Sequence, residues 1–186
     1  MTLTKTEFRK KCLHKIKNLP KHNQLYRTKL INKKLEQELK KYRNKRILFY
    51  YPLHFEADIR QTLLRVRKKC AICLPFMQGE SFKMVPFRMP LRKGRFDILE
   101  AGNSLRKIKK IDIAIVPVVG VDKNIQRVGF GKGMYDRFFA RLKKKPYTIF
   151  IQPYLCYTND ALCDSYDIDC DLLLTPTKRL SKKTRK

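Results

Sequence analysis

The chain has 186 residues, 43% of them hydrophobic, which suits one domain whose core needs no disulfide or metal staple. No run of about 18 apolar residues occurs, and the segment from Met1 to Glu7 lacks the apolar stretch and small-residue cleavage site of a secretory signal, so a soluble cytoplasmic protein is expected. Lys and Arg number 44 against 16 Asp and Glu, a formal charge of +28; this invites an anionic partner, but the spread of lysines over nearly every segment leaves a plain solvated surface equally open.

Residues 4–17 read as a basic opening helix ended by Leu19-Pro20, and residues 22–42 as a second helix with Leu25, Leu30, Ile31, Leu35 and Leu39 at helical spacing. The apolar run 47–51 has strand length, residues 57–69 read as a helix, and residues 70–77 as another strand. This strand-helix-strand order, with strands apolar almost throughout, predicts a parallel sheet covered on both faces. Further buried strands are expected at 111–119, 147–151 and 172–175, while 82–101 reads as short strands or loops. The fold class is therefore α/β, a single-domain α/β/α sandwich with a mostly parallel central sheet over 1–177 and a basic tail at 178–186.

Six cysteines raise the question of zinc, and Cys70-Ala-Ile-Cys73 has the spacing of half a zinc knuckle. The other half is missing, and in a strand positions three apart face opposite ways. Reduced, buried thiols are expected instead.

The segment Arg127-Val-Gly129-Phe130-Gly131-Lys132-Gly133-Met134-Tyr135-Asp136-Arg137 follows the most apolar strand and opens a helix carrying Phe138, Phe139 and Leu142. Its glycines let backbone amides and a helix N-terminus approach an anion, with Arg127 and Lys132 adding charge. It matches neither the Walker loop, since Gly133 follows Lys132 where Ser or Thr is required, nor the dinucleotide fingerprint, since one residue separates Gly131 from Gly133. By itself the segment leaves a phosphate cradle and a purely structural glycine turn both open.

That stretch closely resembles the signature of the 5-formyltetrahydrofolate cyclo-ligases (5,10-methenyltetrahydrofolate synthetases), and the resemblance runs along nearly the whole chain. Lys5-Thr-Glu-Phe-Arg9 matches an N-terminal Lys-x-x-x-Arg; Glu56, with Tyr51 upstream, matches a folate-binding position; Ile111-Asp-Ile-Ala-Ile-Val-Pro117 and Asp122 match the strand before the loop. The acids of Tyr166-Asp167-Ile-Asp-Cys-Asp171 match a C-terminal motif. Met134 replaces the first Tyr of a Tyr-Tyr pair, Asp97 and Ala101 replace a Gly and a Pro, and Tyr166 replaces His or Asn.

The resemblance implies ATP-dependent conversion of 5-formyltetrahydrofolate to 5,10-methenyltetrahydrofolate, with Arg127 and Lys132 in the catalytic role. ATP would lie on Lys5, Arg9, Arg127, Gly129, Phe130, Gly131, Lys132, Gly133, Met134 and Tyr135. Folate would meet Tyr51, Glu56, Phe130, Met134 and Tyr135, and magnesium (Mg2+) would be held by Asp136 and Asp167. Taken singly, each of these residues also suits a bland structural role; their joint order carries the enzyme reading. The competing readings are a basic RNA-binding module, which lacks an aromatic-flanked RNA motif or compact basic stripe, and a non-catalytic nucleotide- or folate-binding protein. No membrane, nucleic-acid or protein partner is expected.

Overall fold

The computed structural model describes residues 3–94, 98–105 and 108–181. Asp97 and residues 182–186 of the basic tail lie outside them. Thr4 starts α1 (Lys5–Lys17) with a capping box, its hydroxyl accepting from the Glu7 amide while the Glu7 carboxylate accepts from the Thr4 amide. A single 3-10 turn at Lys21–Asn23 leads into α2 (Gln24–Leu39). Ile31, Leu35 and Leu39 of α2 are buried as their spacing predicts. Leu25 instead stands 84% exposed, because it lies in the first turn, beyond the edge of the layer that α2 covers.

Then come β1 (Arg46–Leu48), α3 (Arg60–Val66), β2 (Ala71–Gln78), β3 (Ser81–Pro86), β4 (Arg92–Lys93), β5 (Leu99–Glu100), β6 (Ile113–Pro117), β7 (Gly120–Val121), β8 (Arg127–Val128), α4 (Met134–Ala140), β9 (Tyr147–Ile151), β10 (Leu172–Leu174) and β11 (Arg179–Ser181). The central sheet has the order β11-β10-β9-β6-β1-β2-β3. All pairings from β10 to β2 are parallel, whereas β3 and β11 close the two edges antiparallel. The α/β architecture expected from the sequence is the one observed.

Alternation along the strands divides the core into two layers. Ile47, Ile113, Ile115, Ile149, Ile151, Leu172 and Leu174 face α2 and α3, while Leu48, Ala114, Val116, Phe150 and Leu173 face Phe138 and Phe139 of α4. Cys70 falls in the first layer and Cys73 in the second, so the two thiols are separated as a strand requires. All six cysteines are free thiols.

Several boundaries differ from the sequence reading; the strand expected over 47–51, for one, is β1 and ends at Leu48. The strand expected over 111–119 is only β6, because the Val119 amide bonds the Val128 carbonyl and starts the small β7–β8 ribbon. The helix expected over 57–69 is reduced to α3, with Ala57 and Ile59 entering the core ahead of it. Residues 179–181, read as tail, form β11, whose Leu180 packs against the α4 layer.

Candidate active site

In a parallel sheet the loops after the strands gather at its carboxyl edge, where ligands ordinarily bind. Here that edge collects the segment after β1, the β7–β8 ribbon with the glycine loop, and the connection between β9 and β10. Helix α1 is fastened over it by Phe8, Cys12 and Ile16 packing on Val119, Val128 and Cys156. Two openings adjoin there, a basic cleft of about 330 Å³ and a largely apolar cavity of about 520 Å³. Arg127 and Gly133 line both.

Arg127 organises the cleft. Its side chain is buried, its Nε donates to the Pro117 carbonyl at 3.4 Å, its Nη1 lies 3.1 Å from Asp136 Oδ2, and its guanidinium stacks 5.0 Å from the Tyr135 ring centroid. Gly129 is required beside it, since a Cβ there would stand 2.4 Å from Arg127 Nη1. Gly133 caps α4 in the left-handed region at φ +60, which glycine adopts without strain. Upstream, the buried Asp122 carboxylate accepts from the amides of Asn124, Gln126 and Cys163, setting the path into β8.

The N-terminal helix supplies the remaining expected cations. Arg9 Nε donates to the Gly129 carbonyl at 2.8 Å, and Lys5 Nζ bonds Asp167, with Asp164 at 3.8 Å. Asp167 is buried and also accepts from the Asp164 amide. Thus Lys5, Arg9, Arg127, Gly129, Gly131, Gly133, Asp136 and Asp167, scattered over more than 160 positions, share one cleft. Asp136 Oδ1 is buried with no hydrogen-bond partner among the described residues. Such an orphaned carboxylate oxygen, in the same basic cleft as Asp167, has the chemistry to suit a hard cation completed by other oxygen ligands and water. Among the described residues no three His, Cys, Asp or Glu side chains form a self-sufficient cage.

The apolar cavity collects Tyr51, Glu56, Phe130, Lys132, Met134 and Tyr135. Phe130 and Phe55 meet at 5.3 Å between ring centroids, and Phe82 packs on Tyr135 at 4.9 Å, so two aromatic pairs contribute to its walls. Glu56 Oε2 accepts from the Leu53 amide at 2.9 Å, yet burial pushes its carboxyl up to about 7. Burial, followed by the Glu56 charge, also raises the Tyr135 hydroxyl. Of the residues expected on ATP, Phe130, Lys132, Met134 and Tyr135 line this cavity rather than the cleft. Alternate residues of the loop thereby face the two openings.

Sequence reasoning did not assign Arg137 and Tyr166 of the cleft, nor Lys17, Phe55, Met77 and Phe82 of the cavity. Arg137 could have been suspected from its position one turn into the helix after the glycines. Phe82 carried no signal, because only the antiparallel pairing of β3 with β2 brings it to the site. His54, read as a surface or packing residue, is exposed and lies 4.7 Å from the Phe55 ring on the cavity wall.

The family model of the 5-formyltetrahydrofolate cyclo-ligases matches residues 1–158. A 5-formyltetrahydrofolate cyclo-ligase of Mycoplasma pneumoniae is 38% identical over 65 residues, 35% of this chain and 39% of that protein. Its counterpart in Mycoplasma genitalium is 36% identical over 67 residues, 34% of this chain and 38% of that one. The chain thus spans about two-fifths of the length of these curated relatives. A solved 5,10-methenyltetrahydrofolate synthetase of Aquifex aeolicus superposes with a TM-score of 0.82 at 28% identity, covering 99% of this chain and 95% of that one. The synthetase structure from Mycoplasma pneumoniae, at TM-score 0.71 and 24% identity over 94% of this chain and 99% of that one, shares the fold. No helix among the described residues is long and apolar enough to cross a membrane. With the family model extending unbroken from α1 through the glycine loop and beyond β9, the chain belongs to the 5-formyltetrahydrofolate cyclo-ligase family.

Proposed function

We propose that this protein is an ATP-dependent 5-formyltetrahydrofolate cyclo-ligase, working in the cytoplasm and yielding 5,10-methenyltetrahydrofolate, ADP and phosphate. One observation carries the reading: a basic cleft and an aromatic-walled cavity share Arg127 and Gly133, so a phosphoryl donor and a flat heterocyclic acceptor would meet across one loop. The free thiols of the chain suit a reducing compartment.

The chemistry asks little of protein nucleophiles. A formamide oxygen is a poor leaving group as hydroxide, so the γ-phosphoryl passes from ATP to that oxygen, breaking the bond to ADP and leaving an iminium phosphate on N5. The lone pair of N10 then attacks the formyl carbon, the carbon–oxygen bond breaks with release of phosphate, and N10 loses its proton. Lys5, Arg9 and Arg127 neutralise phosphate charge from one side of the loop and Lys132 from the other, while loop amides orient the transferred group. Phe55, Phe130, Phe82 and Tyr135 hold the ring system and exclude water; ionised Glu56 accepts from pterin N–H groups. Asp136 and Asp167 would hold magnesium, whose charge would offset that of the phosphates when bound.

The purified chain, given ATP, magnesium and 5-formyltetrahydrofolate, is expected to form the methenyl chromophore with one ADP and one phosphate per turnover. ATP and folate binding without chromophore would leave a ligand-binding protein and refute the enzyme reading.

A further inference from the structure

Arg137 is a cation of the cleft to which neither the resemblance nor the comparisons give a role. It lies one turn into α4, and its side chain folds back over the loop. Its Nε donates to the Glu80 carbonyl at 2.8 Å, and Nη2 bonds both the Glu80 and the Lys132 carbonyls. The group lies against Gly133, where a Cβ would stand 2.9 Å from Nη1. A three-nitrogen fork is thus held along one edge by two backbone carbonyls from separate elements, the β2–β3 turn and the glycine loop. Nη1 makes no hydrogen bond among the described residues, and Arg137 lines the same cleft as Lys5, Arg9 and Arg127.

A guanidinium oriented this way has lost most of its rotamer freedom before a ligand arrives, and its open edge suits a phosphate oxygen. We propose that Arg137 is a further phosphate-binding residue of the nucleotide site, aimed by the Glu80 and Lys132 carbonyls. This rests on the reading that the cleft takes ATP. It also gives the β2–β3 turn a function, since the loop meets the turn at a second point where Ser81 Oγ donates to the Met134 carbonyl at 3.1 Å.

The competing role is a brace that only shapes the loop, and a second variant separates the two. Ser81→Ala removes the other tie between turn and loop but no charge. Titration calorimetry with ATP should show Arg137→Ala weakening binding roughly 10- to 100-fold, as expected for a charge-assisted bond. Ser81→Ala should stay within about threefold, half a decade in affinity. Millimolar guanidinium should recover part of the loss in Arg137→Ala, and Arg137→Lys, which keeps charge without the fork, should lie between wild type and Ala. Equal weakening by Arg137→Ala and Ser81→Ala without guanidinium rescue, or ATP binding by Arg137→Ala indistinguishable from wild type, would overturn the assignment. Because the titration reads ATP alone, a wild type that binds ATP but forms no chromophore sinks the cyclo-ligase reading and leaves Arg137 standing.

Discussion

Arg127 and Asp136, nine positions apart, close across the glycine loop with Nη1 3.1 Å from Oδ2, and Gly129 lies against the guanidinium face with no room for a Cβ. Arg127 cannot yield, since the Pro117 carbonyl, Asp136 and the Tyr135 ring enclose it. Gly129→Ala should therefore displace the guanidinium rather than be absorbed. The expected loss is about 1–3 kcal/mol of stability, as in an overpacked core, together with at least a roughly tenfold fall in kcat/KM for ATP. Thermal unfolding and steady-state kinetics would measure both, and an unchanged variant would show that Arg127 has freedom the geometry denies it.

Glu56 predicts a pH dependence of folate binding. With its carboxyl near 7 and the pterin bonds requiring the ionised form, the KM for 5-formyltetrahydrofolate should rise about tenfold from pH 8 to pH 6. The ligand-free fold should respond in the same range through the opposite preference. Because the folded carboxyl lies above its unfolded value, the folded state holds the proton more tightly, and stability falls as pH rises from about 4.5 through 7. Glu56→Gln should flatten the KM profile at a weak plateau and raise ligand-free stability at pH 8 by about 2 kcal/mol. A wild-type KM profile flat between pH 6 and 8 would separate Glu56 from the pterin.

Asp167→Asn tests the proposed metal and the ligand-free structure together. The concentration of magnesium giving half-maximal activity should rise roughly tenfold and turnover should fall. Since Asp167 is buried, pairs with Lys5 and accepts from the Asp164 amide, a loss of about 1–2 kcal/mol in unfolding free energy should accompany it. Magnesium dependence unchanged despite that stability loss would assign Asp167 to Lys5 alone.

Lys132→Ala should leave stability within about 0.5 kcal/mol, because the side chain is exposed. It should lower kcat/KM at least tenfold. Since Lys132 borders the cavity instead of the cleft, the loss is expected mainly in kcat, where the phosphoryl group crosses from ATP to the formyl oxygen. A defect confined to the KM for ATP would place Lys132 on the donor side only.

The backbone plan was legible in the residues because it follows from local patterns. Continuous apolar runs at 47–48, 113–116, 149–151 and 172–174 commit each strand to two buried faces. The glycine loop was legible as a turn between strand and helix, whereas a phosphate cradle and a structural turn stayed equally open until the family resemblance was weighed. Tertiary structure decided what those patterns could not. Short-range periodicity does not say that Phe82 reaches the cavity through an antiparallel edge strand, that Leu25 lies past the layer α2 covers, or that residues 179–181 pair as β11. Nor could it place Asp167 against Lys5, 162 positions earlier. Such contacts depend on which strands become neighbours and where their loops end, and that is settled only when the whole core packs. The sharing of Arg127 between cleft and cavity is of the same kind, arising where loop, strand end and helix start converge at the carboxyl edge of the sheet.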